Sequence, residues 1–88
     1  MDKIQDSLHL NYSVITENVE QGAKVLDLGC GSGELLKMLV DKKHCTGCGI
    51  DINQNNVIES IQKGLSVVQG DIDEGLKEFL DDEYTMLF

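Results

Sequence analysis

The stretch Lys24–Glu34, K-V-L-D-L-G-C-G-S-G-E, limits what this chain can fold into more than any other. Val25, Leu26 and Leu28 have the apolar density of a short buried strand. Gly29, Gly31 and Gly33 follow as a turn in which φ can become positive and backbone can approach a ligand. Leu35, Leu36, Leu39 and Val40 then recur at helical spacing. A strand feeding a glycine turn and then a helix is the opening unit of a nucleotide-type α/β fold. The unbonded N–H groups of the helix start face whatever binds there.

Spacing narrows the ligand. The dinucleotide fingerprint G-x-G-x-x-G would need its third glycine at Glu34 in one register and at Leu36 in the other. A phosphate-binding P-loop would need a Gly-Lys pair, and none follows. The turn is G-x-G-x-G, flanked by Asp27 and Glu34. Two carboxylates repel a pyrophosphate. They suit a ligand that carries cationic groups and no phosphate, such as S-adenosylmethionine with its sulfonium and ammonium.

V-L-D-L-G-C-G-S-G resembles motif I of the class I S-adenosylmethionine-dependent methyltransferases. G-I-D-I at Gly49–Ile52 is similar to that family's second-strand acid, and V-V-Q-G-D-I-D at Val67–Asp73 to its third-strand motif. More narrowly, the run from His9 to Asp82 resembles the methionine-biosynthesis MetW family. The features that carry this are N-Y-S-V-I-T-E-N-V-E-Q-G-A-K, C-G-I-D-I, G-L-S-V-V-Q-G-D-I-D-E-G-L and F-L-D-D. The resemblance covers most of the chain but only the front half of a typical family member. It implies a cofactor site for S-adenosylmethionine or S-adenosylhomocysteine built from Asp27, Gly29, Cys30, Gly31, Gly33, Asp51, Ile52, Asp71 and Ile72. It also implies a role in methionine metabolism beside a homoserine acyltransferase.

Composition excludes other classes. The 88 residues carry 16 acids against 7 bases, a net charge of −9, and all the bases are lysine. Without arginine or a basic patch, nucleic acid is not an expected partner, and an acidic surface keeps off anionic membranes. Hydrophobic residues make up 41% of the chain, which places it among globular chains rather than disordered ones. No run approaches the ~18 apolar residues of a membrane span, and the N-terminus is polar. The expected compartment is the cytoplasm, with Cys30, Cys45 and Cys48 reduced. Cys45-Thr46-Gly47-Cys48 has C-x-x-C spacing. Residues three apart on a strand point to opposite faces, so burial is expected there and no metal site.

Taken in order, residues 1–10 are polar and expected to fray or dock weakly. A helix is expected over 11–20, with Tyr12, Ile15 and Val19 on one face, Asn11 or Ser13 as its cap and Gly22 beyond its end. Lys24–Leu28 is the first strand, and Ser32 or Gly33 opens a helix running to about Lys42. Lys37, Lys42 and Lys43 read as a solvated face that complements the helix dipole. His9 and His44 read as exposed. Cys45–Ile52 is the second strand, weakened by two glycines.

Asp51 falls 18 residues beyond Gly33, at the ligand-facing end of that strand. An acid there accepts both ribose hydroxyls of an adenosine, in NAD proteins as well. The alternative is a cap for the helix behind it. That helix begins at Asn53 or Asn55, presents Val57, Ile58 and Ile61 as its apolar face, and ends at Gly64. Leu65–Gln69 is the third strand, with Val67 and Val68 buried. By the family resemblance Asp71 accepts from the adenine amino group with Ile72 beside the ring. Asp73 reads as the cap of a helix carrying Leu76, Phe79 and Leu80. Tyr84–Phe88 reads as the start of a fourth strand.

Two right-handed crossovers give the order 3-2-1, and the family places strand 4 beside strand 1. The expectation is an α/β Rossmann-like parallel sheet of order 3-2-1-4, with strands 5–7 beyond the chain and residues 1–88 forming one partial cofactor-binding domain. Self-association or a protein partner is expected to cover the open sheet edge. No nucleophile–base set is visible, so no catalytic residue is assigned. Three functions compete. The first is a methyltransferase represented by its cofactor half. The second is a non-catalytic accessory module of methionine biosynthesis. The third is an NAD-dependent oxidoreductase, opposed by Glu34 and Leu36.

Overall fold

Three strand-to-helix transitions, two of them through glycine, set the architecture. In the computed structural model, which describes residues 3–79 and 84–87, the order is α1 (Lys3–Asn18), β1 (Lys24–Leu28), α2 (Glu34–Lys43), β2 (Thr46–Asp51), α3 (Gln54–Gln62), β3 (Val67–Gln69), α4 (Ile72–Phe79) and β4 (Thr85–Leu87). The strands form one parallel sheet in the order β3-β2-β1-β4. Central β1 pairs with β2 from Lys24↔Thr46 to Leu28↔Ile50, and with β4 from Val25↔Thr85 to Asp27↔Leu87. The reversal in strand order between β3 and β4 puts a crevice at the carboxyl ends of the strands, where open α/β sheets bind ligands.

Each face of the sheet has its own apolar cluster, because neighbouring strand residues point to opposite sides. On one face Val25 and Val67 meet Leu35, Leu36 and Leu39 of α2 and Val57 of α3, with Tyr12 and Ile15 of α1 packed against them. On the other, Leu26, Leu28 and Ile50 meet Leu76 of α4, Tyr84 and Met86. Cys45 belongs to the first cluster and Cys48 packs on the second, so the C-x-x-C pair is divided by the sheet. Two glycines permit the close packing. A Cβ at Gly47 would run into the Val25 carbonyl, and one at Gly75 into the Ile50 side chain under α4.

The structure corrects several local readings. The first helix begins at Lys3, so Asn11 and Ser13 lie inside it and do not cap it. Val67 is buried but Val68 is 46% exposed, because α4 packs on β2 and leaves the outer strand's second face open. On α3 the buried positions are Val57 and Ser60, while Ile58 and Ile61 face solvent. Phe79's side chain, Leu80 and Phe88, expected in apolar faces, lie outside the described residues, as does the side chain of His9. Among the described residues no helix is long and apolar enough to cross a membrane.

Candidate functional site

The glycine turn takes the conformation its composition foresees. Gly29, Gly31 and Gly33 have φ of 75°, 60° and 88°, in the left-handed region that β-carbons oppose. The three glycines nevertheless do different work. A Cβ on Gly29 or Gly31 would meet nothing within 4 Å, so the space above them is open. A Cβ on Gly33 would come 2.6 Å from Leu65 Cδ1 and 2.9 Å from Ser60 Oγ, so this glycine lets α2 start against α3.

The turn's amides are almost all engaged internally. Gly29 and Cys30 N–H both donate to the Ile50 carbonyl, at 2.7 and 3.1 Å. Gly31 N–H donates to Asp51 Oδ2 at 2.9 Å, and Gly33 N–H to the Cys30 carbonyl at 3.1 Å. A phosphate nest needs such amides pointing outward and unbonded. This turn lacks that chemistry, which adds a structural reason to the spacing argument against a pyrophosphate.

Asp51 joins the second strand to the first. Beyond its bond to Gly31, its Oδ1 accepts from Asn53 N–H at 2.9 Å and Asn56 Nδ2 at 3.3 Å. Burial by itself would raise this carboxyl. The bonds from the Asn53 and Gly31 amides and the Asn56 side chain outweigh it, and the net shift is downward, so Asp51 is a firm anion. The cap of α3 is Asn53, whose side chain accepts from Asn56 N–H at 3.1 Å. Two carboxylate oxygens offer about four acceptor sites, so three bonds leave capacity for a ligand donor.

Asp71 does the capping expected of Asp73. Its Oδ1 accepts from Glu74 N–H at 2.7 Å, while Asp73 sits within the first turn of α4. Gly29, Asp51, Ile52 and Gly70–Asp73 together line an open cleft of about 400 Å³ with Ile50 at its base. Ile52 is 72% exposed and Ile72 is 42% exposed, an apolar pair at the cleft's rim. Five of the nine expected residues thus line one cleft: Gly29, Asp51, Ile52, Asp71 and Ile72. Gly31 reaches it through Asp51.

The remaining three are not in that lining. Cys30 is buried, its sulfur 2.7 Å from where a Gly49 Cβ would stand. Burial, then Asp27 and Asp51, push its thiol up to about 11, which leaves it an inert packing group. Gly33 serves the α2–α3 contact. Asp27 lies beneath the turn at 4% exposure, and burial, then the Asp51 charge, raise it to about 6.

Residues that apolar periodicity could not reveal hold the turn in place. Ser60, fully buried, donates toward the Gly31 carbonyl at 3.3 Å and the Asn56 carbonyl at 2.9 Å. Lys63 Nζ donates to the Ser32 carbonyl at 2.6 Å, and Gln69 Nε2 to the Ile52 carbonyl at 3.2 Å. The one signal available was a serine four residues after Asn56 on an otherwise apolar helix line. Among the described residues no group of three or more His, Cys, Asp or Glu could hold a metal ion.

This sheet order with its glycine turn and strand-end acid defines a Rossmann-like methyltransferase fold. Solved structures agree. The chain is similar to a SAM-dependent methyltransferase from Archaeoglobus fulgidus, with 29% identity and a TM-score of 0.67 over 83% of this chain and 32% of that one. It is also similar to one from Thiobacillus denitrificans solved with S-adenosyl-L-homocysteine, with 30% identity and a TM-score of 0.62 over 68% of this chain and 28% of that one. The chain belongs to the methionine biosynthesis protein MetW family, whose model matches residues 9–88. A curated relative, the bifunctional methionine biosynthesis protein MetXA/MetW of Rhodopirellula baltica, is 31% identical over 86 residues. The match takes in 89% of this chain and 14% of that protein. The chain thus spans about a seventh of that relative and about a third or less of these solved structures.

Proposed function

We propose that this chain is the cofactor-binding part of an S-adenosylmethionine-dependent methyltransferase of methionine biosynthesis, acting in the cytoplasm. The observation that carries the reading is Asp51. It is a firm carboxylate at the cleft, bonded to the Gly31 amide, with acceptor capacity left over for an adenosine ribose. The cleft also fits the rest of such a ligand. The open space over Gly29 and Gly31 admits it, Ile52 and Ile72 offer apolar contact to a base, and Asp71 Oδ1 is an acceptor beside them. The cofactor would supply an activated methyl group. The chain's residues would hold and orient it, and positioning is the larger part of such catalysis.

Calorimetric titration with S-adenosylhomocysteine, with NAD in parallel, tests this. Binding of the first alone is expected. Binding of NAD instead, or of neither to a folded chain, would overturn the reading. A second reading has one observation in its favour: the Rhodopirellula relative joins MetXA and MetW in one protein. Under it the chain is an accessory module that partners a homoserine acyltransferase. Affinity between this chain and such an enzyme, with no cofactor bound, would favour it.

A further inference from the structure

Four hydrogen-bond contacts close a ring beside the cleft, through residues of three different segments. The Gly31 amide donates to Asp51 Oδ2 at 2.9 Å, and Asn56 Nδ2 donates to Asp51 Oδ1 at 3.3 Å. The Ser60 hydroxyl lies 2.9 Å from the Asn56 carbonyl and 3.3 Å from the Gly31 carbonyl. The ring runs Asp51, Gly31, Ser60, Asn56 and back to Asp51. It joins the end of β2, the glycine turn after β1, and α3. Asn56 and Ser60 are one helical turn apart, so they stand on one face of α3.

Each link has a chemical direction. An ionised carboxylate only accepts, so the amide nitrogen of Asn56 must face Asp51. Among the described residues Asn56 is the one side chain that donates to Asp51; the other two bonds come from the Gly31 and Asn53 backbone amides. Serine has one hydroxyl hydrogen, which goes to the helix carbonyl or to the turn. Given to Gly31, it holds that residue's carbonyl while Asp51 holds its N–H. Two links are tight and two are long. The tight ones hold each half together: Gly31 to Asp51 within the site, and Ser60 to Asn56 within α3. The long ones, both 3.3 Å, are the two that join α3 to the site. Asp51 lines the cleft, whereas Asn56 and Ser60 do not. Any influence of these two residues on a ligand therefore passes through Asp51 and the turn.

We propose that Asn56 and Ser60 are positioning residues for ligand recognition. From one face of α3 they set the Asp51 carboxylate and the Gly31 peptide in a single geometry, and so set how well the site reads a ribose. This rests on the reading of the site as one for S-adenosylmethionine. It adds which residues outside the cleft govern the ribose contact. Bonds to an ionised acceptor are strong only when well aligned. A carboxylate free to turn about its side-chain bonds is aimed at a ribose hydroxyl for less of the time. Because both links to α3 are long, losing either should weaken binding a few-fold, less than losing the Asp51 carboxylate itself.

The test compares adenosine with 2′,3′-dideoxyadenosine by calorimetry, beside amide hydrogen exchange of the ligand-free chain followed by NMR. The unaltered chain should prefer adenosine by about tenfold or more. In Asn56→Ala and in Ser60→Ala that preference should shrink by about threefold or more through weaker adenosine binding, with dideoxyadenosine affinity unchanged within about twofold. The Gly31 amide should exchange faster in both variants without ligand. Alanine suits a helix interior better than either residue, so α3 is retained. Asn56→Asp keeps the shape but replaces the donor with a second negative charge beside Asp51, and should shrink the preference further. Ile58→Ala, on the exposed side of the same helix, should leave both readouts as they are. A preference for adenosine that survives in Asn56→Ala, Asn56→Asp or Ser60→Ala overturns the proposal. So does an equal fall for both nucleosides, unchanged Gly31 exchange, or the same effect from Ile58→Ala. If the unaltered chain binds neither adenosine nor S-adenosylhomocysteine while Gly31 exchange responds as expected, it is the functional reading that fails, and the ring's role toward a ligand fails with it.

Discussion

At the scale of single residues, two aspartates in neighbouring strands face opposite demands. Among the described residues Asp51 collects donors and is held ionised, while Asp27 has none and is pushed toward neutrality by burial, then by Asp51. Asp51→Ala removes the acceptor for Gly31 and for the proposed ribose together. It should weaken S-adenosylhomocysteine binding by roughly 1–3 kcal/mol, the scale of a lost charge-assisted hydrogen bond, and lower the melting temperature as well. Unchanged affinity in a folded variant would leave Asp51 a purely structural tie. For Asp27 the folded value near 6 exceeds the ordinary carboxyl value of 3.8, so the folded state holds the proton more tightly. Its contribution to stability is therefore full below about pH 4 and lost as pH rises toward 6. Asp27→Asn should stabilise the free chain by roughly 2–3 kcal/mol at pH 7.5 and by nothing near pH 3.5, on the usual conversion of pKa difference to free energy. Melting curves across that range decide it.

Among the elements, the glycine turn separates ligand space from packing space in a way that spacing does not reveal. G-x-G-x-G announced the turn and its strand, and the place of Asp51 at the end of the second strand was legible from the apolar run before it and its distance beyond Gly33. That Gly31 opens onto solvent while Gly33 abuts Ser60 and Leu65 depends on where α3 crosses, which is long-range information. The inward line of α3 was misread for the same reason. Apolarity pointed to Val57, Ile58 and Ile61, but the face that meets the turn carries Asn56, Val57 and Ser60, because the turn and Asp51 need donors there. The N-terminal reach of α1 was illegible because its sequence has little apolar periodicity. Two substitutions should separate the roles. Gly33→Ala forces a methyl against α3 at a positive φ and should destabilise the fold by about 2 kcal/mol or more. The Cβ of Gly31→Val meets nothing within 4 Å, so its strain at that atom comes from the positive φ. It should keep most of its helical circular-dichroism signal and lose S-adenosylhomocysteine binding. Retained binding in Gly31→Val would remove this turn from the site.

The molecule as a whole is strongly acidic, and that charge acts on folding and on the proposed ligand with opposite sign. A net charge of −9 on 88 residues destabilises the compact state through self-repulsion. The Lys37–Asp41 pair on α2, at 3.2 Å with both side chains about half exposed, offsets little of it. Salt screens repulsion between surface charges separated by more than about 10 Å at 0.1 M. Raising sodium chloride from about 20 to 300 mM should therefore raise the melting temperature, by roughly 4–8 °C if screening contributes about 1 kcal/mol. The same negative field should attract S-adenosylmethionine, whose net charge is positive, more than S-adenosylhomocysteine, which carries one positive charge fewer. Salt should weaken the first affinity and leave the second nearly unchanged, even as the fold becomes more stable. A melting temperature that does not rise would mean that the acids are paired locally. Equal salt dependence of the two affinities would mean that the cleft is shielded from the field of the rest of the molecule.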